Sequence, residues 1–341
     1  MYKQRSFDFK KIPFVLVLFV AFVSAVFCYD NADYYSYTLI YDYYTPRGLS
    51  DGQLVDFGFV VLCKLFYNLG CSYETFRGIY ISIACVIMYK SIQYFTDNSK
   101  LPIMLYLVFP FALDIVQMRY MFALSIVIYS LRFLKEGKIS KYIIGVIIAS
   151  TQQLVAIFYL LLIITVIEDK KAVKILKIAF PLELMFFFVF SSFLNSFILG
   201  NFSHYNSYLS YGQYSRGLAL LYIVMAGVLI YLTQAQHYHK EKSNIDFAKS
   251  VVLISLLFVP FIFINENFTR LYRGMIPFVY IGLANSKKIF CKKTDNLLVT
   301  IFYCAVMFYI HLSPHNVYHW EHVFLPLFTK NYFWEHLFSV G

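Results

Sequence analysis

Charged residues are scarce in this sequence, and only 14% of its 341 positions are Asp, Glu, Lys or Arg. A soluble globular domain carries roughly a quarter. Hydrophobic residues make up 60% of the chain and gather in apolar runs that recur along it. This combination predicts an all-α, polytopic integral membrane protein, with about 9–11 transmembrane or re-entrant helices that form a single membrane domain over residues 1–341.

Cysteine and glycine show no functional pattern. The six cysteines are scattered, with no Cys-x-x-Cys pair and no His at ligand spacing. Neither a metal site nor a disulfide framework is therefore predicted, and we expect no cofactor. The sequence also lacks a Gly-rich phosphate-binding loop, which disfavours enzymes that use cytoplasmic nucleotide substrates. The spacing of His319 and His322 would permit metal binding, but their aromatic surroundings favour an interfacial segment.

The net charge of +10 at pH 7 does not form a basic patch, because the basic residues fall in short segments between apolar runs. That distribution orients membrane spans with their basic loops in the cytoplasm, and we expect no nucleic-acid partner. It places the amino terminus inside. The extracytoplasmic segments are then the loops at 29–53 and 200–216 and an outer tail at 313–341.

Apolar runs of suitable length mark the expected spans. These are 12–28, 78–95, 101–117, 119–134, 173–198, 217–235, 248–265, 271–286 and 297–312. Residues 54–70 are also apolar, but they contain Asp56 and Lys64. Such a segment favours a helix that lies in the membrane interface, or one that dips into the membrane and returns.

The stretch 141–167 does not fit one ordinary span. Basic segments flank it at 132–141 and 170–177, and both should be cytoplasmic. The roughly ten residues before its polar knot, Ser150–Gln153, would rise only about 15 Å, half of the hydrocarbon thickness. We therefore predict a re-entrant pair of half-helices with Gln152 and Gln153 at a tip inside the membrane. The alternative is one long tilted helix with an inverted topology downstream.

Ionisable side chains among apolar runs usually line a cavity or a working site, because they are costly in hydrocarbon. Asp114 and Arg119 form such a cluster. Arginine also dominates the basic residues predicted to lie outside, namely Arg47, Arg77, Arg119, Arg216, Arg270 and Arg273. A guanidinium that grips oxyanions through two parallel hydrogen bonds suits phosphate or carboxylate recognition. The alternative is that these arginines pair with Asp56, Asp114 or Glu266, or reach lipid headgroups.

An ordered set of motifs carries a family resemblance. The set is Asp33-Tyr34-x-x-Tyr37, Asp56-Phe-Gly-Phe, Leu69-Gly70-x-Ser72-Tyr73, Arg119 at the start of a span that closes in Leu134-Lys135-Glu136-Gly137-Lys138, and Arg270-Leu-Tyr-Arg273-Gly. It resembles the EpsG family of Wzy-like polysaccharide polymerases over about residues 30–286. The chain departs from the family pattern twice.

The family typically has Arg-Gln where this chain has Arg119-Tyr120, and a His at the hairpin tip where this chain has Gln152-Gln153. Gln cannot act as a general base at neutral pH. If the tip His has that role in relatives, it is therefore replaced or unnecessary here.

The resemblance implies an enzyme on the outer side of a bacterial cytoplasmic membrane. It would transfer a growing glycan from a polyprenyl-pyrophosphate carrier to a carrier-linked repeat unit, and so build a capsular polysaccharide, an exopolysaccharide or an O-antigen. The implied partners are the polyprenyl-pyrophosphate-linked oligosaccharide, membrane lipid, and a flippase and a chain-length regulator of the same pathway.

Arginine clusters can stabilise the negative charge that develops on a departing pyrophosphate without a metal ion. The predicted catalytic residues are Arg119, Arg270, Arg273 and Asp114. The predicted substrate-binding residues are Asp33, Tyr34, Asp56, Gln152, Gln153, Tyr211 and Arg216. A base for the acceptor hydroxyl would come from Asp33, Asp56, Asp114, Glu266 or His204.

Three other functions compete with a polymerase. A lipid-linked oligosaccharide flippase or transporter needs no reaction centre, but symmetric halves would be expected and no internal repeat is visible. A membrane glycan ligase would share the arginine cluster, and sequence barely separates it from a polymerase. A membrane acyltransferase would need a His-centred base near an outer-facing span, and neither Arg119 nor the hairpin tip has one.

Overall fold

Helices form the regular structure of the described residues, apart from an isolated bridge between Cys28 and Asn331. The computed structural model describes residues 12–48, 56–166, 169–201, 220–225, 244–285, 293–313 and 318–339. The predicted all-α class is confirmed for this part of the chain.

The helices are numbered in chain order. The first half contains α1 Ile12–Phe27, α2 Tyr34–Thr38, α3 Thr45–Arg47, α4 Phe57–Asn68, α5 Tyr73–Phe95, α6 Lys100–Val108, α7 Phe111–Val116, α8 Met118–Lys135 and α9 Ile139–Gln152. The second half contains α10 Asp169–Asn201, α11 Asn244–Ile254, α12 Thr269–Arg273, α13 Ile276–Asn285, α14 Lys293–Leu312, α15 Trp320–Val323, α16 Pro326–Thr329 and α17 Tyr332–Ser339. A π-helical turn, Leu39–Tyr44, joins α2 to α3, and 3₁₀ helices cover Leu154–Val166, Ser255–Phe258, Pro260–Phe263 and Glu266–Phe268.

Within the described residues, one helix is long and apolar enough to cross a membrane by length and composition. This helix is α5, whose 23 residues rise about 35 Å. Shorter apolar helices of 10–17 residues include Phe14–Phe27, Phe57–Asn68 and Ile139–Gln152. The multispan membrane character of the whole chain stays a prediction.

The centre of the core lies between α5 and α8. The rings of Tyr80 and Phe122 stack there with centroids 4.2 Å apart. One side of α8 receives α9 very closely, because a Cβ on Gly145 would overlap the side chain of Ser130. At the far end of α5, Phe95 packs edge-on against Phe278 of α13 at 5.0 Å. The two helices therefore form a scaffold on which the other elements are placed.

The chain folds back at Gln153, which has extended backbone angles between α9 and the 3₁₀ helix Leu154–Val166. The hydroxyl of Tyr142 donates to the carbonyl oxygen of Tyr159 at 2.6 Å, although seventeen residues separate them. A continuous helix would hold those residues roughly 25 Å apart. The predicted fold-back with Gln152 and Gln153 at its tip is confirmed, and the single tilted helix is excluded. That the tip lies inside the membrane stays a prediction.

The span predicted at 101–117 is wrong. The structure divides this stretch into α6 and α7, with Phe109 extended at φ −160° and ψ 131°. Pro110 explains the break, because proline removes a backbone donor and disfavours helical angles in the residue before it. A second break at Gln117, with φ −87° and ψ 56°, separates α7 from α8.

Three other expectations change as well. The span predicted at 248–265 is broken into α11 and 3₁₀ segments around Pro260, and the span at 271–286 is interrupted between α12 and α13. The loop predicted at 29–53 is largely helical from Tyr34 to Arg47. Most of the predicted loop at 200–216 and of the span at 217–235 lies outside the described residues.

The C-terminal tail returns to the end of α1. The side-chain amide of Asn331 donates to the carbonyl oxygen of Ser24 at 3.1 Å. Backbone hydrogen bonds join Tyr29 to Lys330 at 2.8 Å and Ala32 to His322 at 3.1 Å. The segment that follows α1 is therefore fixed on the same end of the molecule as the tail, as expected if both are extracytoplasmic.

Basic side chains contact neighbouring helices at both ends of the molecule. The ammonium of Lys100 lies 5.7 Å over the ring of Phe14, and that of Lys135 lies 5.1 Å over the ring of Tyr94. These residues belong to the end predicted to be cytoplasmic. At the opposite end, a guanidinium nitrogen of Arg77 donates to the carbonyl oxygen of Val26 at 3.0 Å. The side of the membrane that each end faces stays a prediction.

The re-entrant hairpin can be tested by thiol labelling in a cysteine-free background. We expect Lys138→Cys and Lys174→Cys to react with a membrane-impermeant reagent from the cytoplasmic side, because the hairpin returns to the side from which it starts. Arg47→Cys is the matched control and should react from the outside. Labelling of the two lysine positions from opposite sides would contradict a re-entrant hairpin.

Candidate functional site

Asp56 connects the start of α4 to two other parts of the chain. One carboxylate oxygen forms a salt bridge with Arg119 of α8 at 3.2 Å. The other accepts from the backbone N–H of Leu154 at 2.9 Å, at the hairpin tip. An Asp at this helix position commonly caps its own helix, yet Asp56 makes no such side-chain hydrogen bond. Its carboxylate instead fixes the tip against the first turn of α8.

Aromatic rings surround the guanidinium of Arg119. The rings of Tyr37 and Phe59 each lie 5.5 Å from it. Only 6% of the Arg119 side chain is exposed, against 16% of the Asp56 side chain. The pair is therefore largely shielded from solvent, with the carboxylate as its more exposed partner, and we call its surroundings the recess. A low-dielectric recess strengthens the electrostatic effect of a cation on any anion that enters it.

The hairpin tip also makes polar contacts beside this pair. The amide oxygen of Gln152 accepts from the hydroxyl of Tyr80 at 3.0 Å. Gly58 passes so close to the tip that a Cβ there would overlap Thr151 and Gln152. Tyr80 lies seven residues from the start of α5, so the tip lies about 10 Å below that end. Gln153 is half-buried beside it.

Asp114 and Arg273 form a second, deeper ion pair. Their nearest oxygen and nitrogen are 3.4 Å apart, and the side chains are 0% and 2% exposed. The hydroxyl of Tyr106 donates to the other Asp114 oxygen at 2.9 Å. Arg273 also donates to the side-chain oxygen of Gln117 at 2.6 Å. The helix breaks at Pro110 and Gln117 place these groups, which a continuous span would have spread along one helix.

Arg270 lies one helical turn from Arg273 but has different surroundings. It is half-buried, and its guanidinium donates to the side-chain oxygen of Asn267 at 3.3 Å. The hydroxyl of Tyr120 donates to the Arg270 carbonyl, and that of Tyr159 donates to the Leu271 carbonyl at 3.1 Å. These two tyrosines, whose hydroxyls are 2.8 Å apart, therefore anchor the backbone of α12.

Asp33 completes the cluster from the segment after α1. Its two carboxylate oxygens lie 3.1 and 3.3 Å from the hydroxyl of Tyr318. Burial raises the pKa of the Asp33 carboxyl, while the positive charges of Arg270 and Arg119 and the Tyr318 hydrogen bond act in the opposite direction. Burial also raises the pKa of Tyr318 to about 12, so its hydroxyl stays protonated and donates.

The structure thus brings most predicted site residues into one region. Three arginines face three aspartates there, so the cluster is close to electrical neutrality. Tyr34 lies apart, since its hydroxyl donates to Glu74 at 3.1 Å on the other side of the segment. Tyr211 and Arg216 lie outside the described residues. Within the part of the chain that the structure describes, no group of three His, Cys, Asp or Glu side chains could hold a metal ion.

Several members of this cluster were not predicted from the sequence. They are Tyr106, Gln117, Tyr120, Tyr159 and Tyr318. Gln117 is the clearest omission, because it joins Arg273 to Tyr318 and lies two residues from Arg119. An amide among apolar residues was a visible signal. The tyrosines had no such signal in a chain with 31 of them.

A family model described as the EpsG family matches residues 11–327, nearly the whole chain. The chain belongs to the EpsG family. EpsG is a family of Wzy-like polymerases, so the protein is related to polysaccharide polymerisation. No curated protein and no solved structure matches the chain.

The buried ion pair of this EpsG protein gives a stability prediction. Asp114→Ala should lower the free energy of unfolding by about 3–5 kcal/mol, because it leaves the Arg273 charge buried without its partner. The double variant Asp114→Leu with Arg273→Met removes both charges and should recover most of that loss. Denaturant unfolding in detergent measures both.

The matched control is Glu136→Ala, which breaks the exposed contact between Glu136 and Lys138. It should leave the unfolding midpoint unchanged, since exposed ion pairs contribute little. Equal losses in the single and double Asp114 variants would contradict a penalty that comes from an unpaired charge.

Proposed function

We propose that this EpsG-family protein is a multispan enzyme of the bacterial cytoplasmic membrane. It polymerises polyprenyl-pyrophosphate-linked oligosaccharide repeat units on the outer face, and so builds a capsular polysaccharide, an exopolysaccharide or an O-antigen. The observation that carries this proposal is the cluster in which Arg119 is held against Asp56 at 3.2 Å and the Asp33 carboxylate, within reach of the charges of Arg119 and Arg270, contacts the Tyr318 hydroxyl at 3.1 Å. Two cations and a base candidate at one place suit glycan transfer from a pyrophosphate.

The transfer forms one glycosidic bond and breaks one sugar-phosphate bond. A hydroxyl oxygen at the non-reducing end of a carrier-linked repeat unit attacks the anomeric carbon of the growing glycan. The bond from that carbon to the pyrophosphate oxygen breaks, and its electron pair leaves with the polyprenyl pyrophosphate. The hydroxyl proton passes to a base in the recess.

Arg119 and Arg270 would stabilise the charge that develops on the leaving pyrophosphate. Preorganised cations in a site with little water can supply most of such stabilisation. The Asp56 salt bridge and the two aromatic rings hold the Arg119 guanidinium in place. Arg273 is almost fully buried beside Asp114, so we assign it a positioning role toward α12 and Gln117.

Asp33 is the strongest candidate for the base. Asp56 is held by Arg119 and by the backbone of Leu154, and Asp114 is closed to solvent. The Asp33 carboxylate is half-buried and contacts the hydroxyl of Tyr318. A carboxyl whose pKa is raised is also a better proton acceptor than an ordinary one. The hairpin glutamines would then bind sugar rather than move protons.

The lipid carrier of the donor would bring its pyrophosphate to the recess from the outer leaflet. The hairpin tip lies about 10 Å below the outer end of α5, at a depth that a membrane-anchored pyrophosphate can approach. A flippase that delivers repeat units and a regulator of chain length are the further partners that we propose. The sugar-binding role of Gln152 and Gln153 rests on their place at this tip.

The direct test supplies the purified protein with a carrier-linked repeat unit and looks for a ladder of longer glycans. We expect the wild type to produce the ladder and Arg119→Lys to reduce the rate by on the order of 10²-fold or more. Lysine keeps the charge but cannot make two parallel hydrogen bonds to a phosphate. Arg47→Lys is the matched control, because Arg47 is an exposed arginine on the same predicted side.

Three outcomes would contradict this proposal. Translocation of the unit across vesicles without elongation would identify a flippase. Transfer to a different acceptor without a ladder would identify a ligase. Normal ladders from both Arg119→Lys and Arg119→Ala would make Arg119 structural.

The proposed base gives a pH dependence. Because the carboxylate form of Asp33 accepts the proton, the rate should be full above its raised pKa and should fall as the pH drops through it. The acid limb should therefore lie above the usual Asp value of about 4. Asp33→Asn should lose the limb together with on the order of 10²–10⁴-fold in rate.

The matched control for this profile is Asp42→Asn, which removes an exposed carboxyl from the helical segment that follows Asp33. It should keep the wild-type rate and the wild-type acid limb. An unchanged acid limb in a residually active Asp33→Asn variant would assign the titration to another group.

A further inference from the structure

Two cavities follow one another along the seam between α1 and α5, and the inner one also reaches α6, α7 and α8 at Tyr106, Phe111 and Met121. The outer cavity has a volume of about 540 Å³ and the inner one about 380 Å³, and Phe22 lines both. Together they make a lateral groove, which we define as the α1–α5 groove. Each cavity is within the size range of small-molecule and lipid-chain sites.

The outer cavity contains a buried cation. Arg77 lines it and is 3% exposed. One terminal nitrogen of its guanidinium donates to the carbonyl oxygen of Val26 at 3.0 Å. The other terminal nitrogen is buried and has no hydrogen-bond partner among the described residues. A buried guanidinium with an unused donor is the kind of group that binds an oxyanion.

The groove changes from polar to apolar along its length. Its outer cavity is lined by Arg77, Glu74, Thr75 and Tyr34, together with apolar side chains. The inner cavity is lined almost entirely by apolar and aromatic side chains, including Phe19 and Met88. An anionic headgroup at the outer end with a hydrocarbon chain that descends inward would match this order. Such an orientation is that of a lipid in the outer leaflet.

The outer cavity of the groove and the recess lie on opposite sides of the segment 28–34. Asp33 faces Tyr318 and the two arginines of the recess, whereas its neighbour Tyr34 lines the outer cavity. On the helices, Arg77 turns toward α1 and Arg119 turns toward Asp56. A pyrophosphate beside Arg77 is therefore not the one that is cleaved beside Arg119.

We propose that the α1–α5 groove binds the polyprenyl pyrophosphate of the acceptor, a second lipid site besides that of the donor. This inference rests on the proposed function, because repeat-unit polymerisation needs two carrier-linked substrates at once. The acceptor reacts at its non-reducing end, so its own pyrophosphate stays intact and lies an oligosaccharide away from the reacting hydroxyl. A single buried arginine can hold it, since no charge develops there.

The rim of the groove suits the first sugar of the acceptor. Glu74 is exposed, and its carboxylate accepts from the hydroxyl of Tyr34 at 3.1 Å. An exposed carboxylate beside a phenol can bind sugar hydroxyls at the point where the glycan leaves the pyrophosphate. From there the chain would pass over the segment 28–34 toward Asp33.

Binding can be tested without turnover. The probe is a polyprenyl pyrophosphate with no sugar and a diazirine in its chain, added to the full-length protein in lipid nanodiscs. We expect photoadducts on α1 and α5 peptides that excess unlabelled polyprenyl pyrophosphate removes and excess phosphatidylglycerol does not. Equal competition by phosphatidylglycerol, or adducts confined to other helices, would overturn the acceptor site.

A kinetic assay with separate donor and acceptor substrates then tests whether the groove binds the acceptor. The donor is a carrier-linked glycan blocked at its non-reducing end. The acceptor keeps its diphosphate, but a CH2 group replaces the oxygen that joins the diphosphate to the sugar, so the acceptor cannot be cleaved. Ala21→Trp fills the inner cavity, and Arg77→Lys weakens the anion contact. Arg77→Lys should raise the KM for the acceptor by about tenfold, the size that a lost hydrogen bond to a charged group produces. Ala21→Trp should also raise that KM, because the indole excludes the hydrocarbon chain, and both variants should leave kcat and the donor KM unchanged.

Leu16→Trp is the matched control, because Leu16 is an exposed residue of α1 that does not line either cavity. It should leave both KM values at the wild-type level. A rise in donor KM, or wild-type kinetics in both groove variants, would overturn the inference. Specific adducts on α1 and α5 without a glycan ladder from the wild type would leave the groove as a lipid site and refute the polymerase.

Discussion

A single carboxylate, that of Asp56, joins three parts of the chain that lie far apart in the sequence. It binds the guanidinium of Arg119 and the first backbone N–H after the hairpin tip. Without it, the tip would have an open backbone donor and Arg119 would lose this salt bridge, both at a place with little solvent. The hairpin and α8 also pack closely where Gly145 meets Ser130, so the tip and the first turn of α8 are held together at two places.

Charge balance also explains how the recess can exist before substrate arrives. Arg119 pairs with Asp56 and Arg273 pairs with Asp114, so both buried cations of the recess are compensated by carboxylates. Arg270 is half-buried at the edge of the recess, and its positive charge acts on the Asp33 carboxylate. A pyrophosphate would therefore meet a site that is neutral as a whole, in which its negative charge is attracted by local cations rather than by a large net potential.

The sequence predicted the helical class, the hairpin and most of the recess, because each left a local signal. The polar knot at 150–153 stood out against its apolar neighbours. The basic segments on both sides of the stretch indicated that the chain returns to the side of the membrane from which it starts. The sequence analysis did not predict that the span at 101–117 would break, although Pro110 was visible. Both halves of this stretch are apolar, so hydropathy alone does not distinguish two short helices from one long helix. The salt bridge from Asp56 to Arg119 was one of several pairings open to that aspartate, and only tertiary contacts select among them.

The segment 28–34 separates the α1–α5 groove from the recess, so the distance between the two proposed sites depends on its position. Segment 28–34 is fixed by backbone hydrogen bonds to the returning tail, at Tyr29 and at Ala32, and by Tyr318 at Asp33. An acceptor anchored beside Arg77 must therefore cross a rigid barrier before its hydroxyl reaches Asp33. A glycan shorter than that path cannot react however well its lipid binds. Under the proposed function the tail would therefore contribute to selection among acceptors, since it would set the distance that one repeat unit has to span.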